Sequence, residues 1–154
     1  MRRTDKEITD QRIIEEILTG SQICRLGLVE NGEAYIVPVN YAYSEGYIYA
    51  HSASEGRKVE ILKRNPVITF EIEYMTEVMK GDIPCKSGAK YRSVMGKGTV
   101  EICRDREMKK HGFNLLIKKY GIEISSGYDE TALASAVLLK LKIESVSGKQ
   151  SGTW

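Results

Sequence analysis

The sequence is poor in the residues that build covalent cross-links and metal centres. It has only three cysteines, Cys24, Cys85 and Cys103, and no two of them form a C-x-x-C pair. The two histidines, His51 and His111, do not stand at ligand spacing from the cysteines, which argues against a zinc site. We therefore expect free thiols, no metal and a reducing, cytoplasmic setting.

Long apolar runs and a strong excess of one charge are missing as well. No stretch approaches the roughly 20 apolar residues that a membrane-spanning helix needs, and no apolar segment opens the sequence as a leader would. The formal net charge is only +2, and the basic residues are dispersed. This balance favours neither a membrane protein nor a nucleic-acid-binding protein. We expect one domain over residues 1–154.

Strand-like segments predominate along the chain. In the clearest one, Ile68, Phe70, Ile72 and Tyr74 alternate with mostly polar residues, which is typical of a sheet with one buried face. Five further strands are predicted over residues 21–29, 33–43, 47–50, 91–102 and 137–144. The segment 76–89, which contains two glycines and a proline, is interpreted as a long connection.

Three helices are predicted between these strands. Asp10 is placed to cap the first, the second follows Gly56, and the third runs from Asp105 to a stop at Gly121. No βαβ repeat, G-x-G-x-x-G fingerprint or G-x-S-x-G elbow occurs in the sequence. Together these features predict a mainly β, mostly antiparallel barrel with a few flanking helices.

The segment from His51 to Lys58 has an unusual charge pattern. Arg57 and Lys58 stand in the first turn of a predicted helix, where the helix dipole disfavours each cation by up to ~1 kcal/mol. Arg57 also occupies the place of the Glu or Gln of a capping box that begins at Ser54. The pattern indicates a phosphate site built from cations, hydroxyls and backbone N–H groups. The alternative is that Ser54 is a plain N-cap and both cations point into solvent.

Two other segments have features that suit a ligand. Within residues 35–41, Pro38 cannot donate a ladder hydrogen bond, so the strand is an edge or bulged strand whose backbone could bond a planar ring beside Asn40. Within residues 91–98, Arg92 and Ser93 could add phosphate contacts, and the glycines favour a close approach. Taken singly, each segment is more typical of an ordinary strand than of a ligand site.

The order and spacing of these segments resemble the pyridoxamine 5′-phosphate oxidase-like family of FMN-binding split barrels. Within that family the chain is most similar to the branch of 5-nitroimidazole-resistance proteins. The resemblance runs from about residue 10 to residue 149. The elements that carry it are Cys24-Arg25-Leu26-Gly27, Val37-Pro38-Val39-Asn40, Tyr47-Ile48-Tyr49-Ala50-His51-Ser52-Ala53, Gly56-Arg57-Lys58, Arg64-Asn65-Pro66 and Tyr91-Arg92-Ser93-Val94-Met95-Gly96-Lys97-Gly98.

The resemblance implies a six-stranded antiparallel split barrel that forms a homodimer with FMN at the subunit interface. It implies that the phosphate is held by Arg57, Lys58, Arg92 and Ser93. It also implies that the ring or ribityl chain is lined by Val37, Pro38, Val39, Asn40, His51, Ser52 and Ala53. His51 matches a histidine that lies near the flavin in the nitroimidazole-resistance branch, and it is the candidate catalytic residue.

We therefore predict an FMN-dependent oxidoreductase that moves electrons from NAD(P)H or another donor to a small organic acceptor. Nitroimidazole reduction is the candidate activity. The basic and aromatic C-terminal segment of the pyridoxamine phosphate oxidases proper is absent, which argues against vitamin B6 oxidation. The alternatives are a non-catalytic flavin-binding or sensor module, a split barrel that uses haem or a deazaflavin, and a small interaction domain without a cofactor.

Overall fold

Eight strands form one sheet in the computed structural model, which describes residues 3–124 and 127–154. The strands are β1 (Glu7–Ile8), β2 (Ile23–Glu30), β3 (Glu33–Asn40), β4 (Ala42–Ser44), β5 (Tyr47–Ala53), β6 (Val67–Met79), β7 (Gly88–Cys103) and β8 (Ala136–Ser151). The α-helices of the same residues are α1 (Gln11–Gly20), α2 (Arg57–Arg64), α3 (Arg106–Tyr120) and α4 (Glu130–Ser135). None of these described helices is long and apolar enough to cross a membrane.

The sheet curls around the main core and forms a split barrel. Its strand order is β3-β2-β6-β7-β8-β5-β4, with β1 beside β8, and all pairs are antiparallel. Side chains from the six longer strands, together with α1 and α2, fill the interior. The fold class predicted from the sequence is confirmed. The strand count is eight rather than six because of the short strands β1 and β4.

Tyr41 joins the two end strands of the sheet. The predicted strand 33–43 is broken at this residue into β3 and β4, since the chain passes here from one end of the sheet to the other. The side chain is fully buried, and its hydroxyl donates to the Leu18 carbonyl at 2.8 Å. Its backbone N–H donates to the Tyr120 hydroxyl at 3.2 Å. Tyr41 therefore fastens the corner of the barrel to α1 and α3.

The interpretation of residues 76–89 as a long connection is wrong. β6 continues to Met79 and pairs with β7 as far as Gly88, with a register shift between Tyr74 and Thr76. Only residues 80–87 connect the two strands, and they include the 3₁₀ turn Pro84–Lys86. The segment therefore forms the end of an extended β6–β7 hairpin.

The helix ends follow the caps that the sequence predicts. Asp10 accepts a hydrogen bond from the Arg12 N–H, and Asp105 accepts one from the Met108 N–H, both at 2.9 Å. Gly121 ends α3 in the left-handed region at φ 62°. Helix α4 was not predicted.

The close approach predicted for the glycines of β7 is present. A Cβ at Gly98 would lie 2.1 Å from the Lys142 carbonyl oxygen on β8, where the strand register shifts. β3 ends the strand order, so one edge of its backbone has no strand partner among residues 3–124 and 127–154.

Candidate functional site

The first turn of α2 presents backbone donors and cations without a capping side chain. Gly56 is the N-cap, at φ 111°, and the first helical hydrogen bond runs from the Glu60 N–H to its carbonyl. The N–H groups of Arg57, Lys58 and Val59 have no acceptor among the described residues. The plain N-cap expected as the alternative at Ser54 is not formed. The arrangement suits an anion.

The charge of Arg57 is shared with a carboxylate. Its Nε lies 2.9 Å from a Glu30 oxygen at the end of β2, and Arg64 lies 2.6 Å from the other oxygen. Hydrogen bonds from Arg57 and Arg64 hold the pKa of Glu30 below its ordinary value. The Arg57 guanidinium also lies 4.3 Å from the Tyr35 ring centroid. The Arg57 side chain is therefore held by contacts with Glu30 and Tyr35 as well as by its place on α2.

Lys58 has no carboxylate partner among the described residues. It is half-buried in the first turn of α2, and burial lowers the pKa of its ammonium group. An unpaired, partly desolvated cation beside free N–H groups gains more from a bound anion than a solvated surface lysine does. Lys58 is thus the stronger of the two candidate phosphate ligands.

The residues predicted to line the ring lie on two strands near the opening of the barrel. On β3, Pro38 and Asn40 point outward and are exposed, while Val39 is buried in the core and Val37 is partly buried against it. On β5, His51 and Ala53 are exposed, while Ser52 is buried. Because strand side chains alternate between faces, Val37, Val39 and Ser52 can offer a ligand only their backbone. The accessible side chains are those of Pro38, Asn40, His51 and Ala53.

Arg92 and Ser93 do not join Arg57 within one subunit. Arg57 is tied to Glu30 at one end of β2, while Arg92 pairs with Tyr74, beyond the point where β6 meets the other end of β2. The 8 residues of β2 separate the two places by about 25 Å. Arg57 and Lys58 can contact the same phosphate as Arg92 and Ser93 only if the two pairs come from different subunits.

Arg92 is also occupied within its own chain. Its guanidinium lies 4.1 Å from the Trp154 ring centroid, its Nε donates to Gln150 at 3.2 Å, and it lies 3.5 Å from Glu16. Ser93 follows on the opposite face of β7. These contacts explain the position of Arg92 without a ligand.

A cavity of about 540 Å³ opens beside Asn40 and His51. It lies between the outer face of β5, helix α3 and helix α4, and its lining is mainly apolar. The His51 ring stands edge-on to Phe113, with ring centroids 6.5 Å apart. The described residues that line it are Asn40, His51, Phe113, Leu116, Ile117, Tyr120, Ile122, Tyr128, Asp129, Ala132, Leu133 and Ala136.

A buried lysine holds the outer wall of this cavity in place. The Lys109 ammonium donates to the Leu133 carbonyl at 2.6 Å and to the Ala136 carbonyl at 3.2 Å, at the end of α4. Lys109 is only 6% exposed. Sequence reasoning missed this wall because α4 is short and its six residues have no clear periodic pattern.

A second lysine, whose ammonium group is buried, lies under the barrel corner. The Lys119 ammonium is 3.4 Å from the Tyr41 ring centroid and has no hydrogen-bond acceptor among the described residues. Burial lowers the pKa of Lys119 to about 8. The apolar surroundings thus disfavour the charged form of this side chain.

Comparison with known proteins gives the same architecture. A family model described as pyridoxamine 5′-phosphate oxidase matches residues 10–150. A candidate 5-nitroimidazole antibiotic resistance protein of Bacteroides thetaiotaomicron is 27% identical, with a TM-score of 0.82 over 93% of this chain and 85% of that chain. No curated protein matches the chain.

Two larger solved structures share the fold at lower identity. The flavocytochrome Anf3 of Azotobacter vinelandii has a TM-score of 0.86 at 18% identity, over 99% of this chain and 72% of that chain. The FAD and heme binding protein of Mycobacterium smegmatis has a TM-score of 0.83 at 19% identity, over 97% and 75%. At this level of identity the likeness shows the fold alone.

Replacing Lys119 by Met is expected to stabilise the protein near neutral pH by about 1–2 kcal/mol, a value reduced for partial solvent screening. The folded pKa of about 8 lies below the ordinary value of 10.5, so the unfolded state binds more protons between these values. The free energy of unfolding of the wild type therefore rises relative to that of the variant as the pH increases from about 8 to 10.5.

Urea unfolding of wild type and Lys119→Met across that interval measures the difference, in which the other titrating groups cancel. Lys118→Met, at the exposed neighbouring position, is the control and is expected to show no such trend. A constant difference at all pH values would contradict the assignment.

Proposed function

Because the chain belongs to the pyridoxamine 5′-phosphate oxidase family, we propose that it binds FMN and works as a flavin-dependent oxidoreductase. The residues around α2 and β3 fit this cofactor. The observation that carries the proposal is the uncapped first turn of α2, which combines N–H groups that have no acceptor among the described residues with two cations and no capping side chain. The negative phosphate would satisfy groups that the described residues leave without partners.

The phosphate and the ring would lie at opposite ends of β3. Arg57 contacts Tyr35 at the start of the strand, and Asn40 ends it, about 17 Å further on. β3 ends the strand order, so one side of its backbone has no strand partner among the described residues. Its free groups could bond the flavin edge, and Pro38 keeps another strand from pairing there. When bound, the flavin supplies the redox chemistry, and the protein orients it.

Substitution of the α2 cations tests the cofactor and its placement together. The double variant Arg57→Ala/Lys58→Ala is expected to bind FMN at least ~100-fold more weakly than wild type, because two charge-assisted contacts to phosphate are lost. Lys63→Ala/Lys118→Ala removes the same charge from exposed positions in the last turns of α2 and α3 and is the matched control, with a small effect expected.

The measurement is a titration of the purified protein with FMN, followed by absorption. The spectrum also separates flavin from haem or a deazaflavin, since each has its own bands. Equal FMN affinity in both double variants would exclude the α2 site. A wild-type protein that ignores FMN would remove the proposal.

We also propose His51 as the proton-donating residue and a nitroimidazole-type compound as a candidate acceptor. Reduction of a nitro group consumes a proton with every electron, so it needs a donor beside the ring. His51 is exposed at the mouth of the cavity and makes no hydrogen bond to another described residue, which leaves both ring nitrogens available. The 27% identity to the Bacteroides protein supports this choice of acceptor.

His51→Ala is expected to retain FMN and to lower the rate of 5-nitroimidazole reduction by about 100-fold, the usual contribution of general acid catalysis. His111→Ala is the control, because His111 packs against Tyr49 and is not among the described residues that line the cavity. Loss of nitro absorbance under a chemical reductant reports the rate. If wild type leaves the compound unchanged, the acceptor is wrong; if His51→Ala is as fast as wild type, the role of His51 is wrong.

The proposed assembly is a homodimer with the flavin at the interface. The outer face of β2, β3, β6 and β7 exposes apolar side chains around a groove of about 600 Å³, and Ile36 and Met95 are 64% and 55% exposed. The Arg25–Glu71 ion pair on this face has the two charges that a two-fold copy could pair with. An exposed apolar face that also has paired charges is typical of a surface that associates with another chain.

Ile36→Glu/Met95→Glu is expected to convert a dimer to a monomer, because like charges would meet across the interface. Ile124→Glu, which places a charge at another exposed apolar position, is expected to leave the dimer intact. Light scattering after size exclusion gives the mass of each. A monomeric wild type would contradict the proposed dimer, and a dimeric double variant would place its interface elsewhere.

A further inference from the structure

We propose that the cavity beside Asn40 and His51 binds the second substrate, and that it accepts neutral, mostly apolar ring compounds and rejects anions. The role as a substrate site rests on the proposed flavin function. The selectivity rests on the cavity alone. Its volume of about 540 Å³ lies within the range of sites that enclose drug-sized molecules.

The walls of the cavity favour an apolar ring. Phe113, Leu116 and Ile117 face it from α3, and Leu133 and Ala136 face it from the α4 side. Each square ångström of apolar ligand surface removed from water contributes favourably to the free energy of binding, while the walls offer few polar partners to a ligand. A flat aromatic ligand would meet the Phe113 ring at the side where that ring already packs against His51.

The charges around the cavity disfavour an anion. None of the described lining residues is a lysine or an arginine. Among the described lining residues the one carboxylate is that of Asp129, which accepts hydrogen bonds from the Thr131 and Ala132 N–H groups at 2.8 and 3.2 Å. Asp129 is thus held as the N-cap of α4 with its negative charge beside the cavity. A ligand carboxylate or phosphate placed there would be desolvated without a counter-charge.

Apart from the Asp129 carboxylate, the lining polar groups that lack partners among the described residues lie at one corner of the cavity. The Tyr120 hydroxyl is bonded to the Gln22 carbonyl, and the Tyr128 hydroxyl is bonded to Asn114. His51 has no such partner among the described residues, and the Asn40 amide oxygen is also free of one. A ligand that fits therefore has one polar group, placed at the His51–Asn40 end, on an otherwise apolar frame.

The phosphate-binding groups are too far away to change this selectivity. Arg57 lies at the Tyr35 end of β3, about 17 Å along the strand from Asn40. A ring compound that carries its own phosphate would place that charge against apolar walls. The cavity therefore excludes phosphorylated ring substrates while admitting their neutral analogues.

A matched pair of ligands and a matched pair of variants test the proposal. 2-Acetylnaphthalene and 2-naphthoate share a ring system and differ in charge at neutral pH. Ala132→Phe places a phenyl ring in the cavity from α4, and Ala134→Phe places one on the same helix outside the lining. Equilibrium dialysis of FMN-supplemented protein gives ligand affinity, and absorption of the retained fraction gives FMN binding.

Wild type and Ala134→Phe are expected to bind 2-acetylnaphthalene at least ~10-fold more tightly than 2-naphthoate. Ala132→Phe is expected to lose at least ~10-fold of the 2-acetylnaphthalene affinity and to keep FMN. Equal or tighter binding of 2-naphthoate, no binding of either compound, or unchanged affinity in Ala132→Phe would overturn the proposal.

Two results separate this proposal from the flavin proposal. Loss of FMN from Ala132→Phe alone would assign the cavity to the flavin ring and overturn the substrate site. If no protein binds FMN but the ligand selectivity and its loss in Ala132→Phe are observed, the cavity stands as a neutral-ligand site and the flavin function fails.

Discussion

The architecture depends on the corner at Tyr41, where the two ends of the sheet meet. A curled sheet has to bring its end strands together or leave both edges open to other chains. The buried ring fills the corner, its hydroxyl binds the Leu18 carbonyl, and its N–H binds Tyr120. With the corner held by two helices, Asn40 on β3 and His51 on β5 face one cavity although they lie on strands from opposite parts of the sheet order.

The surroundings of β3 change from apolar near that corner to charged at the other end of the strand. The end near α2 has Arg57 and Lys58, and the end near α3 has apolar walls. Glu30 explains how the helix tolerates Arg57 in its first turn, because the carboxylate offsets the unfavourable charge. Lys58 has no such compensation among the described residues. The two ends of the strand therefore favour different ligand groups, an anion near α2 and an apolar ring near α3.

Local signals in the sequence were sufficient for much of this fold. Asp10, Asp105 and Gly121 predicted helix ends because capping acts within a few residues. The break at Tyr41 was not predictable in the same way, since tyrosine favours strands and the break results from closure of the barrel. The hairpin over residues 76–89 was missed because its glycines and proline are typical of loops. In the structure these residues continue the pairing of β6 with β7, which begins at Val67 and Thr99.

The same distinction between local and long-range signals applies to the candidate site. The charge pattern at Arg57 and Lys58 is local, and the structure keeps both residues at an uncapped helix start. The position of Arg92 relative to them depends on strand register, which a sequence does not contain, and strand spacing puts Arg92 about 25 Å from Arg57 within one chain. Their grouping at a subunit interface stays a prediction. The cavity walls depend on α4, whose six residues would not form a stable helix in isolation.

The contacts of Lys109 have a consequence for the motions of the protein. Because α4 is too short to be stable alone, its stability comes from the buried Leu133 side chain and from the two carbonyls that accept hydrogen bonds from the Lys109 ammonium. Such a segment opens as a cooperative unit well below the free energy of global unfolding. These two hydrogen bonds and the burial of Leu133 therefore determine how stably the α4 wall of the cavity is held.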